Sequence, residues 1–254
     1  MRSNSGSERF SPLVLARILG ILSLLGIVTG AFGIGYVSSA LTVDGDASAT
    51  MHNILTHETL FRLGFASHLL ELVLNIPAEI IGFLLLRRVN GIVAAIALCC
   101  GVVGISIEAV STLSGYVPLK LAIDAGALGA FSSEQLHAVS YISLQLQDAG
   151  LLLSFVFYGL DEVFSGFLIF RSRFLPRVLG VLLAISGLCY FTHGFLSFLA
   201  PPLDARLFPY ILFPCLPGEG SISLWMATVG LNVAKWRAWT AEPQGEVSVQ
   251  LQAP

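Results

Sequence analysis

Long apolar stretches alternate with short polar segments along this chain. A hydrocarbon core about 30 Å thick takes about 20 helical residues at 1.5 Å each. Six stretches are that long, so the pattern predicts an all-α integral membrane helix bundle with six transmembrane helices. The predicted spans are residues 13–41, 63–86, 91–113, 149–170, 178–199 and 207–234.

The flanking segments are polar. Residues 1–12 predict a polar N-terminus and residues 238–254 a flexible tail, on either side of a membrane domain over residues 13–237. The apolar part of a signal peptide has about 7 to 15 residues, fewer than the first stretch, so we interpret that stretch as a retained span.

The loop before the fourth span carries a helix start signal. Ser132 and Gln135 have the spacing of a capping box and predict a helix that begins near Ser133. A helix from there to Phe170 is far longer than one crossing needs. It therefore either projects beyond the bilayer or breaks near Gly150.

Composition agrees with this pattern. The chain is 55% hydrophobic and 11% charged, whereas a soluble domain has roughly a quarter of its residues charged. A soluble fold of this size is excluded, and the lipid bilayer is the expected partner. The formal net charge of -3 does not suggest a nucleic-acid partner.

Basic residues predict the topology, because Lys and Arg stay on the cytoplasmic side during insertion. In the six-span arrangement, Arg62, Lys120 and Arg206 lie on one side and ten basic residues on the other. We expect a multi-pass protein of the cell membrane with both termini in the cytoplasm. The ten residues are Arg2, Arg9, Arg17, Arg87, Arg88, Arg171, Arg173, Arg177, Lys235 and Arg237.

A weak internal repeat accompanies the odd-numbered spans. Arg17, Arg88 and Arg177 are each followed by an aliphatic residue and, three positions on, by Gly. Parallel repeats of helical hairpins occur in some transporters. Because the insertion rules also favour Arg at a cytoplasmic helix end, duplication and chance both stay open.

Acidic residues inside the spans are the main candidates for chemistry. Each charged carboxylate near the bilayer centre costs about 3 kcal/mol on insertion scales, and the one basic residue in the spans, Arg17, lies close to the expected cytoplasmic end of the first span, away from the acids. We expect these groups to face each other, water, protons or a cation. The candidate ligand- or ion-binding residues are His68, Glu71, Asn75, Glu79, Glu108, Asp161, Glu162, His193 and Glu219.

Spacing and depth predict how these residues assemble. Helical periodicity puts His68, Glu71, Asn75 and Glu79 on one face of the second span. Counted from the outer ends, His68, Glu108 and His193 share a depth, and the other acids lie deeper. The prediction is an acidic funnel that descends from outside, unless these groups only hydrogen-bond between helices.

A metal site is a further possibility at this depth. His68 and Glu71 are three residues apart, like half of a carboxylate–histidine metal motif, and His193 would complete the set. No other cofactor is predicted, and no catalytic residue is assigned. The sequence contains no nucleophile elbow, no Walker-type loop and no HExxH motif.

Three functions fit these features. The first is a small transporter or ion-linked binding protein that takes protons, a cation or a cationic small molecule. The second is an intramembrane metal-dependent hydrolase. The third is a non-catalytic accessory or sensory protein, and the oligomeric state stays open in all three.

Several segments carry a resemblance to a known family. They are residues 43–47 (VDGDA), 166–172 (GFLIFRS) and 175–183 (LPRVLGVLL), with Gly218 and Glu219 further on. Over residues 13–236 the chain resembles domain-of-unknown-function family 4386, prokaryotic multi-span membrane proteins of uncharacterised role. The resemblance implies a helical membrane bundle and brings no activity, substrate or cofactor.

Overall fold

A computed structural model describes residues 11–123 and 131–241. Within these ranges the chain is helical and contains no strand. Most of the predicted N-terminal segment (residues 1–10) and of the predicted tail (residues 242–254) lies outside the described residues. The helices are α1 (Pro12–Gly30), α2 (Ser38–Leu41), α3 (Ala47–Thr56), α4 (Glu58–Leu86), α5 (Gly91–Gly115), α6 (Val117–Ile123), α7 (Ser133–Arg171), α8 (Arg177–Leu199), α9 (Pro201–Leu207), α10 (Cys215–Thr228) and α11 (Val233–Ala241).

Five helical stretches are long and apolar enough to cross a membrane, and they contain the first five predicted spans. The first stretch joins α1 to α2 through the π-helical segment Ala31–Val37. The others are α4, α5 continued by α6, α7 and α8. Side chains on their outer faces are apolar and exposed, as lipid-facing positions require; Val110 and Leu199 are examples.

The sixth predicted span, residues 207–234, is not one helix. It is divided into the end of α9, a short 3-10 turn (Tyr210–Leu212) and α10. With 14 residues, α10 is roughly 21 Å long, less than the thickness of the hydrocarbon core. Pro209 and Pro214 lie where the helix is interrupted, and proline provides no backbone N–H to continue one.

The capping prediction before the fourth span is confirmed. Ser132 Oγ accepts from the backbone N–H of Gln135, and the Gln135 side chain accepts from the backbone N–H of Ser132. The helix that follows runs for 39 residues without a break at Gly150. Its first turns pack against α3 and α6, which explains the length beyond one span.

Six helices form a ring. In order, α1 contacts α4, α4 contacts α5, α5 contacts α7, α7 contacts α8, α8 contacts α10, and α10 contacts α1 again. Glycines let α7 and α8 pack closely, since a Cβ at Gly187 would lie 2.5 Å from the carbonyl oxygen of Gly159. Although α10 is short, it closes the ring, and the interior of the ring contains the candidate site.

Basic residues gather at one end of the bundle. Helix α11 covers this end: Trp239 Nε1 donates to the carbonyl of Arg88 at 3.0 Å, and the Arg173 guanidinium lies 5.4 Å from the Trp239 ring centre. At the opposite end α3 meets the start of α7, where the backbone N–H of Gly45 donates to the Tyr141 hydroxyl at 2.7 Å. Basic side chains thus gather at the end covered by α11, and polar contacts join α3 to α7 at the other end.

Candidate functional site

A cavity of about 530 Å³ occupies the middle of the helix ring. All six helices of the ring contribute to its wall. The six acidic residues predicted inside the spans line it together, and among its described lining residues there is no Lys or Arg. These acids are Glu71 and Glu79 on α4, Glu108 on α5, Asp161 and Glu162 on α7, and Glu219 on α10.

Toward the end of the bundle that carries α3, three helices bring polar groups into contact. His68 Nε2 on α4 lies 2.9 Å from Glu108 Oε1 on α5. The Tyr158 hydroxyl on α7 donates to the other oxygen of Glu108, Oε2, at 2.7 Å. The His68 and Glu108 side chains are only 4% and 2% exposed. Glu108 is thus buried with both oxygens partnered.

Glu71 lies beside this pair. Its Oε1 accepts from Asn75 Nδ2 at 2.9 Å, one turn further along α4. Its Oε2 is buried, has no hydrogen-bond partner among the described residues, and lies 3.9 Å from His68 Nε2. One ligand atom from each of His68, Glu71 and Glu108 falls within 4.8 Å of the others, so these residues could hold a metal ion.

A second group of carboxyls lies further along α4 and α7. Glu79 and Asp161 interact through their carboxyl groups, and Ser165 Oγ donates to Asp161 Oδ1 at 3.2 Å. Gly101 on α5 makes room for Glu79, since a Cβ there would lie 2.5 Å from the Glu79 carboxyl carbon. The Oε2 atom of Glu162 is buried without a hydrogen-bond partner among the described residues.

His193 does not join the predicted metal site. Its Nδ1 lies 2.6 Å from Asp204 Oδ1, and its ring stacks on Phe208 with the ring centres 5.8 Å apart. Asp204 is on α9, which turns back toward α8 after residue 200. The set predicted as His68, Glu71 and His193 therefore changes, and Glu108 takes the place of His193.

Helix α1 lines the cavity with small residues. A Cβ at Gly30 would lie 3.4 Å from the Glu71 carboxyl carbon, and one at Gly33 would lie 2.6 Å from the carbonyl oxygen of Gly64 and 3.1 Å from the backbone nitrogen of His68. Gly33 is in the π-helical segment, and such segments are frequent at functional sites. The glycines let α1 and the π-helical segment that follows it approach α4 closely near His68.

Sequence reasoning missed two polar residues. Tyr190 on α8 lines the cavity and interacts with Glu219. Asp204 was assigned to a loop, and no spacing rule links it to His193, eleven positions earlier. Tyr190 lies in an apolar stretch of the sequence. A tyrosine in such a stretch is equally typical of a membrane interface, so its position did not mark it as a cavity residue.

A smaller cavity of about 60 Å³ lies on the other side of His68. Asp148 and Gln147 line it, together with His68. Ile34 and Leu151 line both cavities. These two residues therefore separate the small cavity from the large one, and His68, which lines the small cavity, contacts Glu108 in the wall of the large one.

Comparison with known proteins gives one match. The model of a family described as "Domain of unknown function (DUF4386)" matches residues 18–230. No curated protein matches the chain, and no solved structure does. Because the match covers most of the sequence, the chain belongs to domain-of-unknown-function family 4386.

Proposed function

We propose that this protein is a small membrane transporter or ion-linked binding protein whose acidic cavity takes up protons, a cation or a cationic small molecule. The observation that carries this proposal is that six carboxyl groups line one cavity, with no basic residue among its described lining. At about 530 Å³ the cavity has the volume of a small-molecule site, for which about 300 to 1,000 Å³ is typical.

Charge balance supports a positively charged ligand. A carboxylate removed from water is costly unless a proton, a cation or hydrogen-bond donors compensate its charge. The hydrogen-bonding partners include His68 beside Glu108 and the neutral donors Asn75, Tyr158 and Ser165. Glu71 Oε2 and Glu162 Oε2 have no donor among the described residues. Protons or a bound cation would satisfy both.

The two cavities suggest an entry route. Asp148 and Gln147 line the small cavity near the end of the bundle that carries α3, His68 lines it as well, and Ile34 and Leu151 separate it from the large one. A movement of these side chains would join the two spaces. In this proposal a ligand enters past His68 and meets Glu71 first.

The same proposal includes six membrane crossings. Helix α10 would complete the sixth crossing together with the segments on either side of it, because it closes the ring of helices. The basic end, with Arg88 and Arg173, would face the cytoplasm of the cell together with both termini.

Cysteine labelling tests this topology. Arg87→Cys and Asp44→Cys are made in a background without the native cysteines, and whole cells are treated with a membrane-impermeant maleimide. We expect labelling of Asp44→Cys alone in intact cells and of both variants after permeabilisation. Labelling of both in intact cells contradicts the topology.

An uptake assay tests the function. The protein is reconstituted in liposomes, with tetraethylammonium as a small organic cation and an internal pH-sensitive dye for protons. We expect Glu219→Gln to reduce uptake at least tenfold, because it removes one carboxyl from the cavity wall. Glu58→Gln is the matched control, since the Glu58 side chain is 47% exposed on the same bundle and pairs with Arg62.

Insertion of each variant is checked by size-exclusion chromatography before transport is compared. Uptake of neither protons nor tetraethylammonium above the level of empty liposomes contradicts the proposal. Equal uptake by wild type and Glu219→Gln also contradicts it, because the acidic lining would then have no part in transport.

A further inference from the structure

Three potential metal ligands from two helices converge beside the large cavity. His68, Glu71 and Glu108 each offer one ligand atom, and these three atoms all lie within 4.8 Å of one another. We propose that these three atoms bind one divalent first-row transition-metal ion of the Mn²⁺ or Zn²⁺ type. The proposal deepens the proposed function, since the site lies at the wall of the same cavity, but it can fail independently.

The distances suit such an ion. Ligand atoms about 2.0 to 2.2 Å from a metal lie about 3.0 to 3.5 Å from one another in octahedral or tetrahedral coordination. His68 Nε2 lies 2.9 Å from Glu108 Oε1 and 3.9 Å from Glu71 Oε2. Small side-chain rotations therefore bring all three atoms to coordination distance, with the metal replacing the contact between His68 and Glu108.

In each of the two carboxylates, one oxygen accepts a hydrogen bond and the other is directed at the site. Asn75 Nδ2 holds Glu71 Oε1 at 2.9 Å, and the Tyr158 hydroxyl holds Glu108 Oε2 at 2.7 Å. Hydrogen bonds of this kind orient the ligands of metal sites. They leave Glu71 Oε2 buried and without a donor among the described residues, so it is the atom that most lacks a positive partner.

Charge also favours a divalent ion. Two carboxylates and a neutral imidazole around a 2+ ion sum to zero, which a buried, low-dielectric site requires. The His68 and Glu108 side chains are 4% and 2% exposed, so water provides little screening. One nitrogen and two carboxylate oxygens are a ligand set that Zn²⁺, Mn²⁺ and Fe²⁺ accept, whereas Ca²⁺ prefers oxygen alone.

The test is a direct binding measurement. Purified full-length protein in detergent is stripped with a chelator and titrated separately with Mn²⁺, followed by electron paramagnetic resonance, and with radioactive Zn²⁺ in equilibrium dialysis. We expect one ion per chain for wild type. Glu71→Gln should bind at least 100-fold more weakly, since it removes a charged ligand whose free oxygen makes no hydrogen bond in the fold.

Two controls separate this site from other buried acids. His193→Gln alters the other buried histidine–carboxylate pair and should leave metal affinity unchanged. Glu58→Gln alters an exposed carboxylate that pairs with Arg62 and should change affinity less than threefold. Glu219→Gln is measured beside it to test whether the metal lies at the deeper acids instead. Thermal unfolding of each variant is recorded. If Glu71→Gln fails to fold, Glu108→Gln replaces it as the ligand variant, because glutamine there keeps the acceptor for Tyr158.

Several outcomes overturn the inference. Less than half an ion per chain, or equal affinity in wild type and Glu71→Gln, shows that these residues do not hold a metal. Loss of binding in Glu219→Gln alone moves the metal to the deeper acids. If wild type binds no metal and still takes up tetraethylammonium, the metal site fails while the proposed function stands.

Discussion

The described residues include two buried histidine–carboxylate pairs that differ in their surroundings. His68 and Glu108 lie 2.9 Å apart at the wall of the large cavity, with a third group, Glu71, 3.9 Å from the histidine. His193 and Asp204 lie 2.6 Å apart, and aromatic rings from Phe155 and Phe208 pack beside the imidazole. The first pair borders both cavities, whereas the second lines neither of them.

The difference separates a site from a structural contact. The pair of His193 and Asp204 joins α8 to α9, and in the described part of the chain no third His, Cys, Asp or Glu comes close enough to form a metal-binding group with it. The pair at the cavity has a neighbouring carboxylate oxygen without a donor there. A buried histidine is thus a weak indicator of ligand binding by itself, and an unsatisfied group next to it is a stronger one.

The largest expected effect comes from breaking the pair of His193 and Asp204. Asp204→Ala should lower the free energy of unfolding by about 3 kcal/mol, because it leaves His193 buried without its partner. SDS titration in mixed micelles measures this. Asp204→Asn keeps an acceptor for the imidazole and should cost only about 1 kcal/mol. Wild-type stability of the alanine variant would show that the pair does not hold α9 in place.

The cavity pair should be sensitive to its backbone support. Gly33→Ala should cost about 2 kcal/mol, because its Cβ would lie 2.6 Å from the Gly64 carbonyl oxygen and 3.1 Å from the His68 nitrogen, and neither backbone atom moves freely. Gly35→Ala is the matched control, with no atom within 4 Å of the added Cβ. The same titration measures both variants. Equal stabilities would show that the π-helical segment does not support His68.

The hydroxyl of Tyr158 should matter less. Tyr158→Phe removes the donor to Glu108 Oε2 and should lower the free energy of unfolding by about 1.5 kcal/mol. Tyr210→Phe provides the comparison at an exposed ring and should change stability by less than about 0.5 kcal/mol. Equal effects in thermal unfolding would mean that Glu108 finds another donor.

The smallest effect should have the opposite sign. Without metal, Glu71→Gln should raise the free energy of unfolding by about 1 kcal/mol, because it replaces a buried carboxylate that has an unpartnered oxygen. With saturating Zn²⁺ the order should reverse, since only wild type gains the free energy of binding. Unfolding curves with and without Zn²⁺ measure both. An unchanged order would contradict the metal site.

Much of the cavity lining follows from the helical repeat. Glu71, Asn75 and Glu79 are four residues apart along α4, and all three line the cavity. The cost of placing acids in lipid also predicts that Asp161 and Glu162 turn inward, and both do. These are properties of single helices and their solvent, so one sequence is sufficient to predict them.

Pairing between helices did not follow in the same way. His68 and His193 were predicted at one depth, but depth does not state which side of the ring a helix occupies. The partner of His193 comes from α9, whose course is decided by the conformation of Ala200, the one residue between α8 and α9. The interruption before α10 is different, because Pro209 and Pro214 predict a kinked or partly unwound sixth helix from the sequence itself.

By itself, the sequence determined that the chain is helical, apolar enough for several membrane crossings, and acidic inside, because hydropathy and helical periodicity act locally. The tertiary structure alone decided that six helices close a ring, that Glu108 rather than His193 meets Glu71, and that one carboxylate oxygen there lacks a donor. Hydrogen bonds form over about 3 Å, and the rotation of each helix against its neighbours determines which atoms come that close.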